Sequence, residues 1–204
     1  MIKLEKINLM LKKQSIFTNL DLHIKKNEKI ILKMPSGAGK STLLKIIMGY
    51  IPVNSGKIII DGEVLEENNI DIIRQKIAYI GQNISFTEES VEKYIKLIFS
   101  FEKNKNIKLS DSNLYELLLK FDLDKSILKK SPSLLSGGEK QRIALILVLL
   151  LDKDILLLDE ITSGLDHDLK IKVIEIIKNL NKTVIISSHD NQWLDYNEFE
   201  VMGW

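Results

Sequence analysis

The sequence predicts an α/β fold built on a buried parallel sheet. Three short apolar runs, Ile30–Leu32, Ile155–Leu158 and Thr183–Ile186, are typical of strands that are buried on both faces. Helical spacing follows in Ser41–Tyr50 and Asp168–Leu180. Each apolar run is followed by polar or glycine-rich residues. Because ligands bind at the carboxyl ends of parallel strands, we expect these residues to meet at one edge of the sheet.

The N-terminal part of the chain has a different pattern. Lys3–Leu11, Ile16–Ile24 and Lys57–Ile60 alternate in polarity or are bounded by turn residues. Alternation of this kind is typical of antiparallel strands with one solvated face. The sequence therefore predicts an antiparallel β-subdomain beside the parallel sheet.

The middle of the chain is predicted to be helical. Val91–Phe101 and Asn113–Phe121 each carry apolar residues three and four positions apart, and a polar stretch separates them. We interpret the apolar stripe of the first helix as core, and its use as a groove for a partner helix is the alternative. The stripe consists of Val91, Tyr94, Ile95, Ile98 and Phe99.

Composition excludes several classes of protein. A chain of 204 residues fits one domain, and its 29 basic residues nearly balance 28 acidic ones, which argues against nucleic acid as the main partner. There is no cysteine, so disulfides and thiolate metal sites are excluded. The longest apolar run, Ile143–Leu151, is far shorter than the ~20 residues that span a bilayer. If the protein acts at a membrane, we expect other chains to supply the spans.

A phosphate-binding loop is predicted at Pro35–Thr42, which follows a strand and opens a helix. Its glycines let backbone N–H groups approach phosphates, and Lys40 adds a positive charge. Ser41 offers a hydroxyl to Mg²⁺, and Thr42 is expected near the α-phosphate. Met34 stands where such loops usually begin with glycine, so we expect the first bend of the loop to differ.

Polar side chains follow three predicted strands. Asp159 is expected to hold Mg²⁺ through water, and Glu160 to polarise an attacking water. His189 is expected to contact a γ-phosphate, and Gln82 to reach Mg²⁺ or water. Taken singly, an acidic strand cap, a structural histidine and a loop glutamine are the commoner interpretations. Their position beside a phosphate-binding loop favours the catalytic ones.

A second anion site is predicted at the block Leu135–Arg142, which has the sequence LSGGEKQR. Ser136, Gly137 and Gly138 precede a helix, and the free N–H groups at a helix start bind anions. Two phosphate sites in one small domain imply that two chains share a nucleotide. Ser163–Asp166 is interpreted either as a helix cap or as a subunit contact.

Together these residues resemble the ATP-binding subunit of ABC transporters over essentially the whole chain. The resemblance implies a P-loop NTPase with a RecA-like core and an antiparallel β-subdomain in residues 1–82 and 136–204. It also implies a helical signature subdomain in residues 83–135. The motifs occur in the family's order: Walker A at Pro35–Thr42, the Q-loop at Gln82, the signature at Leu135–Glu139, Walker B at Ile155–Glu160, the D-loop at Ser163–Asp166 and the H-switch at His189.

The resemblance also implies cofactors and roles. ATP would bind with Mg²⁺, with Glu160 as catalytic base, and His189 and Gln82 completing the catalytic set. Magnesium would be held by Ser41, Gln82 and Asp159. The nucleotide-binding residues would be Ser36, Gly37, Ala38, Gly39, Lys40, Ser41, Thr42, Ser136, Gly137 and Gly138.

Partners follow from the same resemblance. It implies a head-to-tail homodimer in which ATP lies between the loop of one chain and Ser136–Gly138 of the other. It implies a separate integral membrane permease, and a cytoplasmic location peripheral to the inner face of the cell membrane. No nucleic-acid partner is expected.

One departure concerns the adenine. The family usually stacks the base on an aromatic at the place that Leu11 occupies here. Losing a base–aromatic stack costs ~1–3 kcal/mol in other contexts, so we expect weaker ATP binding than is usual. Phe17 is an alternative stacking residue that spacing does not settle.

The sequence leaves alternatives open for the transported substrate and for the class of protein. Leu119–Leu165 is similar to the ATPase of Fet-type exporters, which implies metal (iron) export, with peptide, bacteriocin or lipid export as alternatives. A soluble ABC ATPase of DNA repair or translation needs a coiled-coil insertion, for which the 53 residues between Gln82 and Ser136 leave no room. A small-molecule kinase leaves the signature block unexplained. A non-hydrolysing nucleotide-binding regulator is motivated by Met34 and Leu11.

Overall fold

The computed structural model describes residues 1–204 and contains two sheets flanked by helices. The strands are β1 (Ile2–Leu11), β2 (Gln14–Ile24), β3 (Lys29–Leu32), β4 (Ser55–Ile60), β5 (Glu63–Val64), β6 (Ile77–Ile80), β7 (Ile155–Asp159), β8 (Thr183–Ser187) and β9 (Glu200–Met202). The helices are α1 (Lys40–Ile47), α2 (Ile70–Gln75), α3 (Val91–Ser100), α4 (Asp111–Lys120), α5 (Gly137–Leu151) and α6 (His167–Lys178). Short 3₁₀ turns occupy Lys125–Lys129, Pro132–Leu134 and Asn191–Asp195.

The core sheet is parallel throughout, with strand order β6-β7-β8-β3-β9. Every residue of β7 and β8 is buried, which explains why these strands are apolar runs without alternation. The register pairs Asp159 with Ser187 and Leu32 with Ser187, so β3, β7 and β8 end at the same level. The predicted α/β class is confirmed, and the polar residues that follow these strands share one edge.

The second sheet is antiparallel, with strand order β2-β1-β4-β5. Helix α1 packs between the two sheets, and its Leu43, Leu44, Ile46 and Ile47 are fully buried in a core shared by both. This helix ends three residues earlier than the sequence predicts, because Gly49, with a φ of +66°, terminates it. The Tyr50 N–H bonds to the carbonyl oxygen of Lys45, as in a glycine-terminated Schellman motif.

The helical segment between β6 and α5 packs on a second core formed with α5 and α6. Of the predicted stripe on α3, Val91, Ile95 and Phe99 are buried, while Tyr94 and Ile98 are partly exposed. Those two line a surface groove with α5 residues, so core packing accounts for only one side of the stripe. The division into residues 1–82 with 136–204 and residues 83–135 stays a prediction. None of the helices is both long enough and apolar enough to span a bilayer.

Candidate nucleotide-binding site

The phosphate-binding loop takes a backbone course that only glycine allows at two positions. Gly37 and Gly39 have φ values of +82° and +96°. A Cβ atom on Gly39 would lie 2.8 Å from Cγ2 of Ile16, so the neighbouring hairpin also requires glycine there. Helix α1 begins directly after Gly39. Its first N–H groups have no partner within the helix and open onto the loop, as an anion site requires.

Met34 fits the start of the loop without left-handed geometry. Its φ is not positive, and its side chain is buried beside Gly203. The Met34 carbonyl oxygen accepts a hydrogen bond of 2.7 Å from Lys40 Nζ. The first bend of the loop therefore accommodates a side chain, and a hydrogen bond joins the residue before the loop to Lys40 within it.

Lys40 is a buried cation without a carboxylate partner. Only 7% of the residue is exposed, and none of the ion pairs of the chain includes it. Its ammonium group contacts the Met34 carbonyl oxygen and, at 2.9 Å, Nε2 of His189. A buried charge is costly unless it is paired, so this lysine calls for an anion in the space that it faces.

Two carboxylates follow one another at the end of β7 with different surroundings. Asp159 is 2% exposed and accepts a hydrogen bond from the Ser187 hydroxyl. Glu160 has a φ of +53°, a sparsely populated region for a residue with a side chain. This turn directs the Glu160 carboxylate toward His189, whose Nε2 lies 3.6 Å from Oε1 of Glu160.

His189 is held by its neighbours on the segment after β8. The next residue, Asp190, forms an ion pair of 2.9 Å with Lys170 on α6. Burial opposes the charge of Asp190, but hydrogen bonds from Lys170 and from the backbone N–H of Gln192 outweigh it and lower the pKa of this carboxyl. His189 itself is half exposed and contacts both Lys40 and Glu160, so it lies between the loop and the carboxylate.

These groups line one cavity of about 540 Å³ that has no apolar residue in its lining. Gln82 and Ser163 complete it. Ser163 belongs to the predicted D-loop but was not expected in the site, and its place one turn beyond Glu160 is the signal that points to it. Asp159 and Ala38 are not among the residues that line the cavity. The lining residues are Ser36, Gly37, Gly39, Lys40, Ser41, Thr42, Gln82, Glu160, Ser163 and His189.

The signature residues Ser136, Gly137 and Gly138 lie outside this cavity, at the start of α5. Ser136 and Glu139 form a reciprocal capping box, with bonds of 3.1 Å from Glu139 N–H and 2.8 Å from Ser136 N–H. Hydrogen bonds from the Ser136 backbone and from Lys130 lower the pKa of Glu139. The N–H groups of Gly137 and Gly138 have no partner in the chain, so two hydrogen-bond donors at the start of α5 stay free.

Comparison with known proteins identifies the family. The family model described as "ABC transporter" matches residues 17–163, more than half of the chain. The chain belongs to the ABC transporter ATP-binding family. It is an ABC-type ATPase domain, and ATP is the nucleotide that this family binds.

Two curated relatives illustrate the spread of transporters within the family. The chain is 39% identical over 180 residues to the energy-coupling factor transporter ATP-binding protein EcfA1 of Mycoplasmopsis synoviae, covering 84% of this chain and 66% of that protein. It is 34% identical over 200 residues to the probable iron export ATP-binding protein FetA of Escherichia coli, covering 96% and 88%. The chain thus spans about two thirds of the length of the EcfA1 relative.

A solved structure supports the same fold. The dimeric structure of MJ0796, a bacterial ABC transporter cassette, superposes with a TM-score of 0.84 at 27% identity, covering 100% of this chain and 94% of that one. A second structure of MJ0796 is a dimeric post-hydrolysis state bound to ADP and Pi, with a TM-score of 0.81. The fold of an ABC cassette therefore extends over the whole chain.

Proposed function

We propose that this chain binds ATP with Mg²⁺ at Ser36–Thr42 and hydrolyses it to power transport by a separate membrane permease. The observation that carries the proposal is one polar cavity that joins the phosphate-binding loop to Glu160, Gln82 and His189. Lys40 lines this cavity and has no carboxylate partner, and the phosphate oxygens of a triphosphate would supply the missing negative charge. The family membership supports the same conclusion.

We assign each residue of the site a role from its position in the cavity. The free N–H groups of the loop and Lys40 hold the phosphates, and Thr42 lies toward the α-phosphate. Glu160 accepts a proton from the attacking water, a role that typically contributes ~10²–10⁴-fold to the rate. His189, between Lys40 and Glu160, contacts the γ-phosphate.

The donor set fits Mg²⁺ bound together with a nucleotide. No group of three or more His, Cys, Asp or Glu side chains forms a metal cage in this chain. The Ser41 hydroxyl and the Gln82 amide line the cavity, and the Asp159 carboxylate ends β7 directly before Glu160. Mg²⁺ keeps several waters and takes few protein oxygens plus phosphate, so this sparse set suits it. When bound, it neutralises charge on the phosphate oxygens.

A second copy of the chain completes the site. Ser136, Gly137 and Gly138 lie outside the lining of the chain's own cavity, and the N–H groups of Gly137 and Gly138 are free. We propose a head-to-tail homodimer in which these groups bind the nucleotide held by the partner's loop. The dimeric assembly of the structurally similar MJ0796 supports this arrangement.

Phosphate release from ATP by Glu160→Gln tests the catalytic assignment. We expect the rate to fall by ~10²-fold or more while ATP affinity is retained, because only the proton acceptor is lost. Glu67→Gln makes the same substitution at an exposed residue outside the site and should leave the rate unchanged. An unchanged rate in Glu160→Gln would instead support a non-hydrolysing regulator.

The oligomeric state of the same variant tests the shared site. With Mg²⁺ and ATP, Glu160→Gln should sediment as a dimer holding two ATP molecules, because the nucleotide that joins the subunits is not consumed. The same variant with ADP should be monomeric. A monomer at saturating ATP would contradict the shared site without touching the assignment of the loop.

The cargo and location belong to the assembled transporter. We propose a position peripheral to the inner face of the cell membrane, supported by relatives that are named as transporter ATP-binding proteins. Iron export is the cargo class that we propose, because the FetA relative is matched over 88% of its length, against 66% of EcfA1. The higher identity to EcfA1, at 39%, weighs against it.

Co-purification of the chain from native membranes tests both points. We expect an integral membrane protein to accompany it, and cell iron to fall on overexpression of the wild-type pair but not of the Glu160→Gln pair. Recovery of only soluble or ribosomal partners would contradict a transporter. Unchanged iron beside a membrane partner would exclude this cargo alone.

A further inference from the structure

The nucleotide cavity offers no surface for a base. Its lining contains no apolar and no aromatic residue, so it accounts for the phosphates and not for an adenine ring. Leu11 ends β1 at the place where the family carries its stacking aromatic. Phe17, the alternative, is only 3% exposed and packs against Gly39, so its ring is closed to a ligand.

Trp204 is an aromatic residue that contacts the phosphate-binding loop and keeps exposed surface. Its indole Nε1–H donates a hydrogen bond of 3.2 Å to the carbonyl oxygen of Ala38. Its ring meets Phe17 edge to face, with centroids 5.3 Å apart and planes at 71°. The residue is 39% exposed, whereas Trp193, the other tryptophan of the chain, is fully buried.

The topology explains how a residue 166 positions from Ala38 reaches the loop. Strand β9 pairs in parallel with β3, and Met202 lies opposite Leu32. The residues that follow β9 therefore emerge at the same edge as the loop that follows β3. The bond to Ala38 and the contact with Phe17 hold the indole from two sides, which leaves part of the ring open to solvent.

We propose that the indole of Trp204 stacks on the nucleobase of ATP bound at Ser36–Thr42, in the place of the aromatic absent at Leu11. The inference rests on the proposed function, since it assumes that a nucleotide occupies the loop. Base–aromatic stacking contributes about tenfold or more in affinity and tolerates every base, because each base has a π-face. We therefore expect that the absence of an aromatic residue at Leu11 does not weaken ATP binding. Other purine triphosphates should bind with an affinity similar to that of ATP.

The test compares ATP with inorganic tripolyphosphate, which has the phosphates and no base. Binding of each to the full chain is measured by calorimetry with Mg²⁺ for wild type, Trp204→Ala and Trp204→Phe. We expect Trp204→Ala to weaken ATP binding about tenfold or more and to leave tripolyphosphate unchanged. Trp204→Phe keeps a ring but loses the bond to Ala38, and it should retain most of the ATP affinity.

A control variant and a fluorescence measurement test the same proposal independently. Phe101→Ala removes an exposed aromatic away from the loop and should change neither ligand. In Trp204→Phe only buried Trp193 emits, so ATP should quench tryptophan emission in wild type and not in this variant, while tripolyphosphate quenches neither.

Several results would overturn the stacking role. Equal losses for ATP and tripolyphosphate in Trp204→Ala would reduce the indole to a support of the loop through Ala38. No loss for either ligand, or wild-type ATP affinity no higher than that for tripolyphosphate, would also reject it. Absence of binding of both ligands to wild type would reject the proposed function itself.

Discussion

The side-chain amide of Gln141 is bonded to the backbone of Gly164. Oε1 of Gln141 accepts a hydrogen bond of 3.1 Å from the Gly164 N–H, and Nε2 donates one of 3.1 Å to the Ser163 hydroxyl. The same nitrogen lies 3.4 Å from the carbonyl oxygen of Glu160. A Cβ atom on Gly164 would lie 2.7 Å from Oε1, so glycine is needed for the contact. The Gln141 side chain thus connects helix α5 to the segment that begins with Glu160, the proposed catalytic base.

Gln141→Ala should slow ATP hydrolysis and leave ATP affinity unchanged. The residue does not line the nucleotide cavity, but its bonds hold the segment from Glu160 to Gly164. Hydrogen bonds contribute a net ~0.5–1.5 kcal/mol each, so we expect a loss of about tenfold in kcat. Steady-state kinetics with separate kcat and KM checks this, with Gln75→Ala on α2 as the matched control. A rise in KM at constant kcat would contradict a positioning role.

Gly137→Ala should weaken the proposed shared nucleotide site without lowering the stability of the fold. A Cβ atom at Gly137 meets nothing within 4 Å and its φ is not positive, so the chain folds around alanine without strain. In chemical denaturation the free energy of unfolding should be unchanged or higher, by up to ~1 kcal/mol, since alanine favours helix. The added methyl group blocks the proposed approach of the partner's phosphates, so ATP-dependent dimerisation should fall. Full dimerisation would contradict the role of this turn.

Glu139→Gln should lower stability in a pH-dependent way. The folded pKa of Glu139 lies below its ordinary value of 4.5, so its charged form stabilises the native state. That stabilisation is present above the unfolded pKa and is lost as the pH falls through the lowered folded pKa. Urea unfolding at pH 7 should show a difference of about 0.3–1 kcal/mol between wild type and variant, since glutamine keeps the cap but not the charge. The difference should vanish in acid, and a constant difference at all pH values would refute the assignment.

Ser187→Ala should destabilise the core sheet. The Ser187 hydroxyl is fully buried and donates to the Asp159 carboxylate, which is itself 2% exposed. Removing a donor from a buried acceptor costs ~1–3 kcal/mol, and more when the acceptor is charged. Thermal or urea unfolding measures the loss, with Ser85→Ala at an exposed serine as control. A loss equal to that of the control would show that Asp159 finds another partner.

Much of the fold follows from local pattern. The apolar runs that became β3, β7 and β8 are buried on both faces, and the residues directly after them meet at one edge. The prediction succeeded there because a parallel sheet aligns the ends of its strands. The end of α1 was misplaced by three residues, since the sequence pattern continued past the glycine that ends the helix.

The sequence by itself determined the phosphate-binding loop, the order of the motifs and the family, because these depend on residue types at short spacing. Only the tertiary structure decided which distant residues meet: Lys40 with His189, Gln141 with Gly164, and Trp204 with Ala38. It also closed Phe17 to a ligand by burying it. Such contacts depend on strand order and on packing between the two cores, and short-range periodicity carries neither.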